Sequence, residues 1–364
     1  MTAARAQLQI DLDAVAANWR LIRDAVAPAA AGAVVKADGY GLGAVPIALR
    51  LCAEGCDEFF VASADEALAF RMHLPAGARI YVFAGVQTAT AALLADAGVI
   101  PVLNDAPQLA CWRAVAQTRG RVFPAALHVD TGMSRLGFAG ASLRQLVADA
   151  SALSGIDLQL LMTHLACADV PENPRNAAQL ARFTAARALF PHLRTSIGNS
   201  AGALGGASTR GQLVRPGIAL YGSNPFADGR VSGLQEVARL DVPVLQVREL
   251  RPGETVGYCA TYTTTRDTRI ATVALGYADG YMRSLSGRGW GVLRSQPVPV
   301  VGRISMDLTT FDITNIADEV RPGEMITVLG GGVDVDALAS AAGTLSYEVF
   351  TRLGSRLQRR YLPT

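Results

Sequence analysis

Residues 79–117, RIYVFAGVQTATAALLADAGVIPVLNDAPQLACWRAVAQ, decide the fold. RIYVFA and VIPVL are short apolar runs rich in β-branched and aromatic residues, bounded by glycine, asparagine or aspartate, and read as buried strands. TAALLADAG and APQLACWRAVAQ space their apolar residues three and four apart, which is the helical period. Strand, helix, strand, helix in succession is the βα unit, in which a helix carries the chain back so that the next strand can lie parallel. The alternation extends in both directions. AVVKA ends near Ala37, EFFVAS lies near residue 60, AALHVD near 127, LQLLMTHLA near 161, TSIGN near 197 and LVRPGIALYG near 217. Eight such strands predict an α/β protein with an N-terminal (β/α)8 TIM-type barrel over roughly residues 10 to 228, the core of a domain spanning 1–230. A first helix is predicted from Ile10 to about Ala27.

From about residue 232 the texture changes. VARLDVPVLQVREL, GETVGYCATYTT, RIATVALGYADGY, GWGVLRSQPVPVVGRISM and EMITVLG are strand-like and punctuated by turns, predicting a mainly β C-terminal domain over 231–364. RPGE occurs twice, at Arg251–Glu254 and Arg321–Glu324, with Pro-Gly placed for the two central positions of a type II turn. YEVFTRLGSRLQRRY, at the end, reads as helical.

A chain of 364 residues, half of them hydrophobic, suits two domains better than one core. Net charge of +2 without a dense basic block offers no footprint for nucleic acid or an anionic membrane. The start has no secretory pattern and no apolar run is long enough to span a bilayer, so a cytoplasmic location is expected. Cys52, Cys56, Cys111, Cys167 and Cys259 are odd in number and scattered, which argues against a disulfide framework. Cys52 and Cys56 have no second pair at ligand spacing, so no metal is expected. One count is informative: of 33 basic residues only Lys36 is a lysine. Arginine replaces lysine in most salt bridges, but a guanidinium cannot act as an amine nucleophile or form an imine.

In a barrel the chemistry gathers where strands end. Lys36 ends the first predicted strand, Asp130 the fifth, His164 the sixth, Asn199 and Ser200 the seventh, and Arg215 lies in the last. After Lys36 comes ADGYGLGA, a glycine-rich turn that lets backbone approach a ligand while Tyr40 offers a hydroxyl. Such a turn is often no more than a tight βα connection. The sole lysine before it points instead to a phosphate-bearing aldehyde cofactor.

VVKADGYGLGA, HVDTGMSRLG, THLACAD, GNSAG, VRPGIALYG, VGYCATYT, ALGYADGYMR and VGRISMD, in this order across both domains, resemble alanine racemase nearly end to end. The resemblance implies that the cofactor is pyridoxal 5'-phosphate held on Lys36 as a Schiff base, and that the reaction interconverts L- and D-alanine, a peptidoglycan precursor. Lys36 is then the base on one face of the substrate Cα. Tyr258 is the base on the other, supplied by the β domain of a second subunit in a homodimer with shared sites. A tyrosine with a pKa of about 10 is only ~0.1% ionised at neutrality, so a lowering worth roughly 3 to 4 kcal/mol is required, with His164 and Arg215 as candidate sources.

Further roles follow from the resemblance. Arg215 faces the pyridine nitrogen and, being permanently charged, leaves it unprotonated; alternatively it ties a strand end to a carboxylate. His164 is either a cofactor neighbour or a satisfied rim histidine. Tyr40, Ser200, Tyr361 and the N–H groups of Gly217 and Ile218 hold the phosphate, with Asn199 nearby. Arg135 contacts the phenolic oxygen and the substrate carboxylate, aided by the Met306 N–H; a core methionine at 306 is compatible with that. Tyr277, Arg283, Arg303 and Asp169 match entrance-lining positions, Tyr277 also as a substrate contact. Two departures stand out. His128 replaces the family's often carbamylated lysine, which orients the arginine at position 135, and Cys259 replaces the usual glycine beside Tyr258. Rival readings are a broader racemase acting on serine or other amino acids, a decarboxylase of the same architecture, a non-catalytic cofactor carrier and a Schiff-base aldolase.

Overall fold

The computed structural model describes residues 5–149 and 151–363. Seven strands run parallel in chain order, Ala33–Val34, Glu58–Val61, Arg79–Val82, Ile100–Leu103, Phe123–His128, Ile156–Met162 and Arg194–Ser196. An eighth, Leu213–Val214, pairs in parallel with Ala30–Ala31, just ahead of the first. The Arg215 N–H donates to Gly198 O (2.8 Å) and the Val34 N–H to Pro216 O (2.9 Å), so this segment bridges both edges of the seven-stranded sheet and closes the barrel. The strands are covered on both faces, which explains why they read as continuous apolar runs rather than as alternation. Glu58–Val61 and Ile100–Leu103 are buried at every position. The helix Ala106–Arg119 starts at Asp105, whose carboxylate accepts from the Gln108 N–H (2.8 Å), with a proline in its first turn.

Two predicted elements change. The first helix is Leu12–Val26, not Ile10 onward; Gln7–Asp11 is a strand that buries Leu8 and Ile10. Asp11 makes the switch, accepting from the Ala14 N–H (2.9 Å) as helix cap. At the other end, helix covers only Ser346–Thr351, and Gln358–Leu362 is a strand whose exposure alternates over its first four residues, as period two requires. These two strands pair in parallel, Gln7 opposite Gln358, and join the second sheet through antiparallel pairing of Gln7–Ile10 with Ala238–Leu250.

Ala238–Leu250 is the spine of that second sheet, thirteen residues long and also antiparallel to Met325–Leu329 and Thr268–Val273, with an irregularity between Val244 and Gln246. Both RPGE segments are turns. Gly253 and Gly323 take φ of 91° and 95°, the sign that the third position of a type II turn demands. A continuous set of buried residues links barrel and β domain. Among the described residues no helix is long and apolar enough to cross a membrane.

Candidate active site

Each rim residue singled out in the sequence lies one to four positions beyond its strand, on the C-terminal side, rather than inside it. Lys36 begins a turn of the wrong hand: Ala37, Asp38, Gly39 and Tyr40 all have φ between 51° and 61°. Three of these four carry a Cβ, and left-handed backbone costs about 1–2 kcal/mol for such a residue. Several bonds offset the strain. The Ala37 N–H donates to Glu66 Oε1 (2.9 Å), the Ala44 N–H to Asp38 Oδ1 (2.8 Å) and the Gly41 N–H to Ala37 O (2.7 Å). The Tyr40 ring is buried against Tyr221, with centroids 4.6 Å apart.

This turn swings the Tyr40 hydroxyl onto Gly217, where an added Cβ would sit 2.1 Å from it. Gly43 is likewise capped by the Tyr361 hydroxyl, 2.0 Å from where a Cβ would be. Ser200 Oγ accepts from the N–H groups of Gly217 (2.9 Å) and Ala219 (3.2 Å), and Asn199 caps the short helix Ser200–Leu204 by accepting from Gly202 N–H. Ile218 opens a 3-10 turn, so its N–H has no partner within that turn. Burial pushes the hydroxyls of Tyr40 and Tyr361 up in pKa, keeping both as donors. Two tyrosines, a serine and backbone N–H groups at the start of a 3-10 turn make a donor-rich cradle without any lysine or arginine.

Beside the cradle lies a cationic cluster. Arg215 is only 2% exposed, and donates to Ser196 Oγ, Thr163 O (2.8 Å) and Ile197 O (3.1 Å). None of these is a carboxylate, so the reading of Arg215 as a tie to an acidic group is not what the structure shows. Burial lowers its pKa to about 9, which leaves it charged at neutrality. Lys36 is lowered by burial and then by Arg135, against the opposing charge of Glu66. His164 is brought down to about 3, by burial first and then by Arg215, Arg135, His128 and Lys36. Both histidines of the rim are neutral, His128 being lowered to about 4 by burial and the same two arginines.

His128 Nδ1 lies 2.8 Å from Asn104 Oδ1. The Asn104 amide donates to Phe83 O (3.0 Å) and Val102 O (2.8 Å), which fixes its oxygen toward the histidine. Nδ1 therefore carries the proton and Nε2 keeps its lone pair. Asp130 organises the loop that presents Arg135. Burial works against its charge, yet N–H groups of Gly132, Ser134 and Met133, 2.9 to 3.1 Å away, hold its pKa below the usual value.

The β domain behaves differently. Tyr258 is 70% exposed, Met306 54% and Tyr277 44%, and Tyr258 has no hydrogen-bond or aromatic partner among the described residues. A single chain thus brings together Lys36, Tyr40, His128, Arg135, His164, Ser200 and Arg215, but leaves Tyr258 on an outward surface. Cys259 has φ of 61°, the sign a glycine takes without strain, and its sulfur accepts from Arg303 Nη1 at 3.3 Å. Sequence reasoning missed Glu66, Asn104 and Tyr347. Glu66 had a signal, Ser63-x-x-Glu66 at a helix start, which normally marks a capping box. Here Ser63 caps, accepting from the Glu66 N–H, while the carboxylate crosses to Ala37 and Ala62. Tyr347, tilted against Tyr40 with centroids 6.0 Å apart, had none.

Both parts of the chain match known proteins. Residues 10–225 match the alanine racemase N-terminal domain and 237–361 the alanine racemase C-terminal domain. The chain is 47% identical to the alanine racemase of Rhodospirillum rubrum, over 98% of this chain and 96% of that one. It is 41% identical to the catabolic alanine racemase of Agrobacterium fabrum, over 99% and 92%. The crystal structure of alanine racemase from Bartonella henselae with covalently bound pyridoxal phosphate superposes with a TM-score of 0.93 at 35% identity, covering 99% of this chain and all of that one. The biosynthetic alanine racemase of Pseudomonas aeruginosa superposes at 0.90 and 34% identity, covering 98% and 99%. This chain belongs to the alanine racemase family.

Proposed function

We propose that this protein interconverts L- and D-alanine with pyridoxal phosphate held on Lys36. The observation that carries the reading is the geometry after Lys36: the only lysine opens a strained turn that lays the Tyr40 hydroxyl against Gly217, beside Ser200. The donor set fits the cofactor, with neutral hydroxyls and N–H groups for a phosphate dianion at one end and an amine of lowered pKa at the other. When bound, the cofactor supplies an electron sink for the pair left at the substrate Cα.

The chain's own residues do the rest. Lys36 Nζ takes or returns the α-proton on one face, its lowered pKa bringing it nearer to working as a base at neutral pH. Tyr258 Oη of a second subunit serves the opposite face, and its exposure in the single chain supports a head-to-tail homodimer. Arg215 is anchored by three oxygen acceptors and stays charged; it would hold the cofactor's ring nitrogen with a hydrogen bond without giving up a proton. Arg135 binds the substrate carboxylate, with the Met306 N–H and Tyr277 from the facing subunit. His128 stands where the family resemblance places a carbamylated lysine; with Nδ1 turned to Asn104, its Nε2 lone pair is left to accept from Arg135, which would orient that arginine without carbon dioxide.

Chiral analysis of L-alanine, L-serine and L-lysine after incubation with purified protein and pyridoxal phosphate tests the reading, with Lys36→Ala alongside. D-alanine formation, lost in the variant, is expected. No D-isomer from any of the three would overturn it.

A further inference from the structure

Beyond the last helix, residues 352–362 run between two parts of the molecule that the proposed chemistry uses separately. Arg356 spans two carboxylates, donating from Nε to Asp279 Oδ1 (2.7 Å) and from Nη1 to Asp307 Oδ1 (2.8 Å). Asp279 is buried and its other oxygen accepts from the Gly276 N–H (2.9 Å), so it is fixed from both sides. Asp307 follows Met306, and Asp279 lies two residues after Tyr277. The two loops are already in backbone contact: the Tyr277 N–H donates to Ser305 O (3.1 Å), the Ala278 N–H to Met306 O (3.0 Å), and a Cβ on Gly276 would sit 2.2 Å from Met306 O.

Three residues on, Arg359 reaches the other way. Its guanidinium donates to Gly41 O (3.0 Å) in the turn after Lys36, and to Leu353 O (2.9 Å) and Gly354 O (3.0 Å). The Gly354 N–H in turn donates to Asp279 O (2.9 Å). The strand then delivers the Tyr361 hydroxyl to Gly43. One short segment therefore grips the Met306 and Tyr277 loops with one arginine and the cofactor turn with the next.

We propose that Arg356 is a positioning residue that sets how Met306 and Tyr277 are presented to the substrate, and that residues 352–361 couple this presentation to the cofactor turn of the same subunit. In a head-to-tail dimer those loops serve the facing site, so the segment joins the two sites of the dimer. The inference rests on the proposed roles of Met306 and Tyr277. A guanidinium bridging two carboxylates in one plane has no lysine equivalent, because an ammonium is a single point charge.

The test is steady-state kinetics on holoenzyme carrying Arg356→Gln, Arg356→Lys or Asp307→Asn. For Arg356→Gln the KM for L-alanine rises about fivefold or more while kcat changes less, as expected when a substrate contact is misplaced rather than a reacting group removed. Arg356→Lys and Asp307→Asn fall between it and the parent. Unmoved KM values overturn the proposal, whether or not thermal stability drops. Hybrids of Lys36→Ala and Tyr258→Phe subunits localise the effect: Arg356→Gln raises KM when placed on the Lys36→Ala subunit, which supplies the working Tyr258 and Met306. The same rise from the Tyr258→Phe subunit alone would overturn it. Failure of Lys36→Ala to abolish racemisation would instead sink the underlying reading, independently of Arg356.

Discussion

The barrel rim and the Tyr258 loop both contain left-handed backbone, but they spend it differently. After Lys36 three strained non-glycine residues are enclosed by hydrogen bonds to Glu66 and Asp38 and by the Tyr221 ring, and the strain aims a hydroxyl at a glycine. Around Tyr258, Cys259 and Ala260 take φ of 61° and 50° on an exposed loop, where the Cys259 sulfur accepts from Arg303. Strain persists where the surroundings over-determine it. The rim's contacts are made within one chain, whereas Tyr258 stands 70% exposed beside its strained neighbours.

Subunit mixing is the strongest way to break this contrast. Lys36→Ala and Tyr258→Phe homodimers should each lose racemisation by about a thousandfold or more, in the range of a removed proton-transfer group. Full exchange between them should restore roughly a quarter of parental activity, since half the dimers would carry one intact site. No recovery after proven exchange would mean that Tyr258 works within its own chain or not at all.

A smaller effect comes from the buried side of the contrast. The pKa of His128 is depressed to about 4 from its ordinary 6.5. Below 6.5 the unfolded chain binds a proton that the folded chain refuses, so stability conferred by the neutral ring is full above 6.5 and drains away as pH falls toward 4. The loss is about 3 kcal/mol at 1.36 kcal/mol per pKa unit. The charged groups facing the ring are Arg215, Arg135 and Asp130, and Asp130 opposes the shift. Denaturant unfolding of His128→Gln should show a correspondingly flatter acid limb, although His164 continues the same trend to lower pH. An unchanged limb would show that His128 is not held neutral.

Gly217→Ala comes next. Its φ and ψ of −125° and −89° fall outside the main allowed regions for a residue with a Cβ, so backbone strain adds to the clash in which the new methyl displaces the Tyr40 hydroxyl. Cofactor affinity, followed by fluorescence quenching, should fall about tenfold or more, roughly 1.4 kcal/mol. The smallest effect belongs to the exposed loop: Cys259→Gly relieves a positive φ and should raise stability by less than about 1 kcal/mol, leaving cofactor affinity unmoved. If Cys259→Gly weakened the cofactor instead, the two regions would be coupled within one chain.

Much of this was legible in the sequence because periodicity reports burial. Strands covered on both faces announce themselves as apolar runs, and a lone lysine among arginines points to the turn that follows it. Gln7–Asp11 escaped because five alternating residues run straight into a capped helix and share its apolar positions. Gln358–Leu362 escaped because RLQRRY also fits a helical spacing, and only Gly354 hints at the break. Glu66, Asn104 and Tyr347 act across the barrel, on partners 29, 24 and more than 300 residues away, and no local pattern encodes such reach. The left-handed turn was half visible, in Gly39, Gly41 and Gly43, but Ala37 and Tyr40 gave no sign of it.

The parallel pairing of Gln7–Asp11 with Gln358–Leu362 sets a schedule for biosynthesis. Gln7–Asp11 finds this neighbour only once some 350 further residues have been made, roughly 20 to 70 seconds later at ~5–20 residues per second. Until then the long strand Ala238–Leu250 lacks one edge and the barrel's first helix hangs from an unfinished sheet. Tyr361, the hydroxyl that meets Gly43, arrives on that closing strand. Completion of the proposed cofactor cradle and completion of the second sheet are thus one event in time, and a nascent chain stalled short of residue 358 should hold neither.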